Sequence, residues 1–117
     1  MGSSAASPAR GEIWGVDLNP TRGREQAGFR PALIISDNDL NSGPLNLVIV
    51  LPITGTSRGF PSHVRVEPPD GGLTKSSEVM VEQIRAVAKS RLGKRYGMAS
   101  VDTMAQVDQI LKFVLGL

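Results

Sequence analysis

The sequence predicts a mainly β domain, a small partly open barrel or curved antiparallel sheet, closed by one C-terminal helix. Three observations carry that prediction. Apolar residues cluster in five to seven strand-length segments, glycine and proline turns separate those segments, and apolar residues recur at helical spacing only near the C-terminus.

In chain order, residues 12–18 alternate so that Trp14, Val16 and Leu18 share one face, as in a strand with one side buried. The run 19–23 (NPTRG) is a turn signal that opens a loop carrying Arg24, Glu25 and Arg30. A second short strand follows at 32–36, then a polar connector at 37–46. The apolar run 47–53 reads as a strand covered on both faces, and Pro52 predicts that its ladder stops or bulges there. After a loop at 55–59, residues 62–67 direct Val64 and Val66 inward and leave His63, Arg65 and Glu67 on the sheet surface. The strongest turn, Pro68-Pro69-Asp70-Gly71-Gly72, leads into one or two strands within 78–88. Ser100 N-caps a helix from Val101 to Leu115, whose stripe of Met104, Val107, Leu111 and Val114 predicts a face docked on the sheet.

A chain of 117 residues fits one domain. Residues 1–9 begin like a tag remnant and lack the apolar core of an export signal, so they are expected to lie outside a domain spanning 10–117, with the cytoplasm as default compartment. The longest apolar run is strand-sized, which argues against a membrane span. With no cysteine, disulfides, Cys-based metal sites and thiol nucleophiles drop out. With His63 as the one histidine, so do multi-His metal sites and paired imidazole catalysis. Asp37-Asn38-Asp39 reads as turn chemistry, with a magnesium site as the alternative. The net charge of +2 is modest, but 21–30 and 85–95 are locally basic. Either segment alone reads equally as a solvated face; folded together they would make a phosphate-binding groove.

Specific residues carry a resemblance. Arg10-Gly11-Glu12-Ile13-Trp14, Val16-Asp17-Leu18 and Pro20 precede Gly23-Arg24-Glu25-Gln26-Ala27-Gly28-Phe29-Arg30-Pro31 and Ala32-Leu33-Ile34-Ile35-Ser36; later come Pro52-Ile53-Thr54 and Glu82-Gln83-Ile84-Arg85. In order and spacing these segments resemble the MazF/PemK toxin family from about Arg10 to the C-terminus. The resemblance implies an SH3-like small barrel of the MazF/Kid/CcdB type, a homodimer, and a metal-independent endoribonuclease without cofactor that cuts single-stranded mRNA at specific sequences. It also implies an acidic MazE-like antitoxin as partner. It places the catalytic pair on Arg30 and Thr54 and a supporting carboxylate on Glu25. Arg24 stands where many relatives have serine, and Phe29 fills a variable place; both bear on which RNA is cut.

The residue chemistry suits that activity. RNA supplies its own nucleophile when the 2′-OH attacks the adjacent phosphorus, so the protein needs positioning, charge neutralisation and proton transfer. Arg30 offers a forked cation to the nonbridging oxygens, and Thr54 a hydrogen bond to the phosphate. Glu25 is the more natural base than a guanidinium, with a local ion pair to Arg24 or Arg30 as its competing role. Phe29 and Phe60 are candidates for base contact or loop anchors. Arg24, Gln26, Arg58, Gln83 and Arg85 are candidates for phosphate or base contact. Two other functions compete: a CcdB-like gyrase poison, which the ending Leu115-Gly116-Leu117 disfavours, and a non-catalytic SH3-like RNA-binding module, which the Arg30/Thr54 pair disfavours.

Overall fold

The computed structural model describes residues 7–20, 22, 23, 25 and 28–117. Seven strands form one antiparallel sheet: β1 (Glu12–Asp17), β2 (Phe29–Ile34), β3 (Leu47–Thr54), β4 (His63–Val66), β5 (Ser77–Met80), β6 (Arg85–Ala88) and β7 (Leu92–Met98). A four-residue helix α1 (Asn38–Asn41) sits in the β2–β3 connector, and α2 (Val101–Leu115) ends the fold. The order is β4-β5-β3-β2-β1-β7, with β6 also on β3; β4 and β7 are the open ends, consistent with a small barrel-like sheet.

The central strand β3 organises the sheet. Its first half pairs with β6 from Leu47↔Ala88 to Val50↔Arg85, while residues 50–52 pair with β2, ending at Ala32↔Pro52. Beyond Pro52 the strand pairs with β5 through Ile53↔Val79 and Thr54↔Glu78. The β2 ladder therefore stops at the proline, as its missing N–H predicts. Both faces of β3 are covered. Leu51 and Ile53 join Ile13, Leu33, Val64, Val66 and Val79 in a core that takes Val107 of α2, with Met104, Leu111 and Val114 packed against it. Val48 and Val50 point the other way and meet Val16, Leu18, Ala32, Ile34 and Val87, with Trp14 and Leu92 alongside. The predicted faces of Trp14, Val16 and Leu18 in β1 and of α2 are borne out, but the opposite side of β1 is buried as well, because Ile13 enters the core beneath α2.

The helix begins where predicted. Ser100 Oγ accepts the Thr103 N–H at 3.1 Å, and Asp70 accepts from Ser100 N at 2.7 Å, Ser100 Oγ at 3.0 Å and Thr103 Oγ1 at 2.6 Å. Burial pushes the Asp70 carboxyl up, but these hydrogen bonds outweigh it and hold it below its ordinary value. The turn that supplies Asp70 needs glycine: Gly72 has φ +76°, and a Cβ there would lie 2.0 Å from the Tyr96 carbonyl oxygen.

Three expectations need correction. The second strand starts at Phe29, so Arg30 belongs to β2, opposite Val16, and not to the preceding loop. The ladder of β1 extends to Asp17↔Phe29 and draws these residues in. Strand β7 is absent from the sequence-based prediction; its two glycines and two cations blur the alternation, yet it pairs along β1 from Glu12↔Met98 to Val16↔Leu92. Finally, the His63 side chain is only 3 % exposed. It belongs to a buried polar cluster and not to the open sheet surface, because carboxylates from β5 and the turn after it face both ring nitrogens.

Candidate functional site

The site forms where β2 and β3 part. The register Ala32↔Pro52, continued two residues, sets Arg30 opposite Thr54, but there β3 has turned to β5 and the strands no longer pair. A cavity of about 370 Å³ lies at this divergence, lined by Gly28, Phe29, Arg30, Ile53, Gly55, Lys75 and Tyr96 among others. Thr54 is buried between two of the lining residues, and its Oγ1 accepts the Thr56 N–H at 3.1 Å. Accepting that bond leaves the hydroxyl its own proton to donate. Arg30, half-buried, already has an interaction within the protein, so it is held and not loose.

One rim is aromatic. Phe29 is 63 % exposed, yet its ring lies over two glycines: a Cβ at Gly15 or Gly93 would come within 2.7 or 2.6 Å of it. Tyr96 closes on Gly15 from the same side, and Lys94 Nζ stands 5.6 Å from the Tyr96 ring centroid. Phe29 is thus an exposed plate, neither core nor loop anchor.

The other rim is the β3–β4 loop, and Glu78 holds it. Across the sheet from Thr54, this carboxylate is 6 % exposed and accepts from His63 Nδ1 at 2.8 Å, Arg58 N at 3.1 Å, Ser57 Oγ at 3.2 Å and Gly59 N at 3.4 Å. The His63 hydrogen bond, with those from the Arg58 and Gly59 amides, brings its carboxyl down to about 2 despite burial. His63 Nε2 meets Glu82 at 3.0 Å, and Ser62 Oγ donates to the other Glu82 oxygen at 2.7 Å. Burial raises the Glu82 carboxyl, and the bonds from Ser62 and His63 outweigh that effect. A neutral imidazole can donate to only one of its two carboxylates, an imidazolium to both. Through this cluster the backbone carrying Arg58 and Phe60 is fastened beside Thr54; Phe60 is half exposed, its ring 5.0 Å from that of His63.

The remaining candidates are more scattered. Glu25 is exposed, and its Oε1 accepts the Arg22 N–H at 2.6 Å. Arg24 and Gln26 lie outside the described residues. Gln83 sits half-buried in the turn between β5 and β6 and has a partner within the protein. Arg85 donates to the Leu18 carbonyl at 3.1 Å, Arg91 donates to those of Asp17 and Asn19, and Arg95 pairs with Glu12 at 2.7 Å. Much of the basic run 85–95 is therefore engaged in holding β1. Sequence reasoning passed over Lys75, Glu78 and Glu82. The available signal was a lone cation among acids and a histidine on a polar strand face, but the register joining them is nonlocal.

Comparison with known proteins identifies the family and supports the fold. The family model for the PemK-like, MazF-like toxin of type II toxin–antitoxin systems matches residues 9–115. Endoribonuclease MazF9 of Mycobacterium tuberculosis is 36 % identical over 113 residues, covering 92 % of this chain and 96 % of that protein. The crystal structure of MazF (form I) from Deinococcus radiodurans superposes with a TM-score of 0.85 at 29 % identity, covering 96 % of this chain and 99 % of that one. A mycobacterial endoribonuclease in complex with its cognate antitoxin superposes with a TM-score of 0.75 at 29 % identity, over 95 % of each chain. The chain belongs to the PemK-like, MazF-like family of toxins of type II toxin–antitoxin systems.

Proposed function

We propose that residues 10–117 form an endoribonuclease toxin that cuts single-stranded RNA, mRNA above all, at specific sequences without a metal ion. The observation that carries this reading is the cavity at the β2–β3 divergence, which takes Arg30 from one strand and flanks Thr54 on the other. The 2′-OH attacks phosphorus as its proton passes to a base, the P–O5′ bond breaks, and the leaving oxygen takes up a proton. A 2′,3′-cyclic phosphate and a 5′-OH remain. Arg30 neutralises the nonbridging oxygens as charge grows, a role typically worth about 10²–10³ in rate. Thr54 donates to the same phosphate, and Glu25 serves as the base from the loop before β2.

The remaining candidates divide the recognition of RNA. Phe29 stacks a base, Phe60 and Gln83 contact neighbouring bases, and Arg24, Gln26, Arg58 and Arg85 contact phosphates or base edges. The chain works as a cytoplasmic homodimer, stops translation and growth by cutting mRNA, and is restrained by an acidic MazE-like antitoxin that covers the basic cleft. No helix among the described residues is long and apolar enough to cross a membrane.

The test is incubation of the purified protein with a weakly structured RNA in EDTA, with end groups read by mass spectrometry. Discrete cuts bearing 2′,3′-cyclic phosphates are expected. Folded protein that leaves several such RNAs intact overturns the reading.

A further inference from the structure

We propose that Lys75 is a second cation of the cavity and binds an RNA phosphate beside Arg30; this rests on the function proposed above. Lys75 lies in the segment between the Asp70 turn and β5, and its side chain crosses over Gly55, the residue after Thr54. A Cβ at Gly55 would stand 2.6 Å from Lys75 Cε and 2.8 Å from Nζ, so a residue without a side chain is what lets the ammonium approach the end of β3. Lys75 and Arg30 line the same cavity.

The charge at Lys75 is unspent. Its ammonium has neither a hydrogen bond nor a carboxylate among the described residues, whereas Arg10, Arg65 and Arg95 each pair with an acid. Glu78, which shares the adjoining hollow with Gly55 and Ser77, directs its carboxylate to Ser57, Arg58, Gly59 and His63 and makes no ion pair with the lysine. The cavity also offers the apolar surface of Ile53, Leu73 and Tyr96 beside the two cations. At about 370 Å³ it falls within the range of small-ligand pockets, about 300–1,000 Å³. A phosphate flanked by a base meets both kinds of wall.

The probe is a fully 2′-O-methylated single-stranded RNA, which binds but has no 2′-OH with which to react. Its affinity is measured across a salt series for the intact chain, Lys75→Met and Lys75→Arg, with a thermal melt of each. For single strands each neutralised phosphate contributes about 0.7 to the slope of log affinity against log salt. Lys75→Met should lose about that much slope and bind several-fold more weakly, and Lys75→Arg should regain the slope. Gly55→Ala, which pushes the lysine aside, should reproduce part of the loss. Unchanged affinity and slope in a folded Lys75→Met overturn the inference while leaving RNA cutting by the intact chain untouched. An unchanged RNA slope with lost binding to a poly-glutamate peptide assigns the lysine to an acidic protein segment and overturns it equally. An intact chain that cuts no RNA yet shows the Lys75-dependent slope supports the phosphate contact and sinks the nuclease reading instead.

Discussion

Replacing Glu78 with glutamine keeps the shape of the side chain and removes its charge, so it isolates what the carboxylate contributes. The group is 6 % exposed, so solvent screens it little. Its carboxyl lies at about 2 against an ordinary 4.5. At about 1.4 kcal/mol per pH unit, that lowering corresponds to about 3 kcal/mol of stability. The folded value is depressed, so the contribution is complete above pH 4.5 and fades as pH falls from there toward 2. The assay is urea unfolding of the intact chain and Glu78→Gln at closely spaced pH values from 7 to 2. Glu12 and Asp70, also held low, are remote from Glu78 and titrate alike in both proteins, whereas Glu82 shares His63 with it, so the difference between the two curves reports Glu78 together with its coupling to Glu82 through His63. That difference should be about 3 kcal/mol at pH 7 and shrink to a small remainder near pH 2, where about half of the native side chains are protonated and nearly isosteric with glutamine. A gap that stays constant across the range, or a variant as stable as the parent at pH 7, refutes the reasoning.

Arg30→Ala should reduce the single-turnover cleavage rate by about 10²–10³ with the far-UV spectrum unchanged; a loss under tenfold removes Arg30 from the chemistry. Thr54→Val exchanges the hydroxyl for a methyl and removes its bond from the amide of Thr56, an exposed residue, so cleavage should fall at least tenfold while denaturant unfolding shows a loss of about 0.5–1.5 kcal/mol; full activity would exclude the hydroxyl. Phe29→Ala should weaken binding of uncleavable RNA by about 1–3 kcal/mol, the usual worth of a stacked base, with little change in melting temperature because the ring is largely exposed; unchanged affinity argues against stacking. Asp70→Ala removes three hydrogen bonds at the start of α2 and should cost about 2–4 kcal/mol in unfolding experiments while the cut-site pattern stays the same.

The parts of the fold that were legible in the sequence are those governed by local patterning. Ser100 and the apolar stripe of α2 define that helix without reference to anything else, and the alternation of Trp14, Val16 and Leu18 does the same for one face of β1. Pro52 announced where a ladder ends, but not that β3 would there exchange β2 for β5. Strand β7 is not legible in the sequence because Gly93, Lys94, Arg95 and Gly97 carry little strand preference of their own, and pairing with β1 overrides it. Arg30 and Thr54 stood out by family motif. The contacts of His63 with Glu78 and Glu82, and of Lys75 with Gly55, depend on which strands lie side by side, and no spacing along the chain encodes that.

The exchange of partners along β3 has an evolutionary corollary. Thr54 stands on the central strand, which pairs with β2, β5 and β6, whereas the walls around it come from separate stretches: the start of β2, the β3–β4 loop, the approach to β5 and Tyr96 of β7. Substitutions in those stretches change what the cleft admits without disturbing the strand beneath it. On the function proposed above, such an arrangement separates the residues that would select RNA from the strand that carries Thr54, so that one set can change without the other.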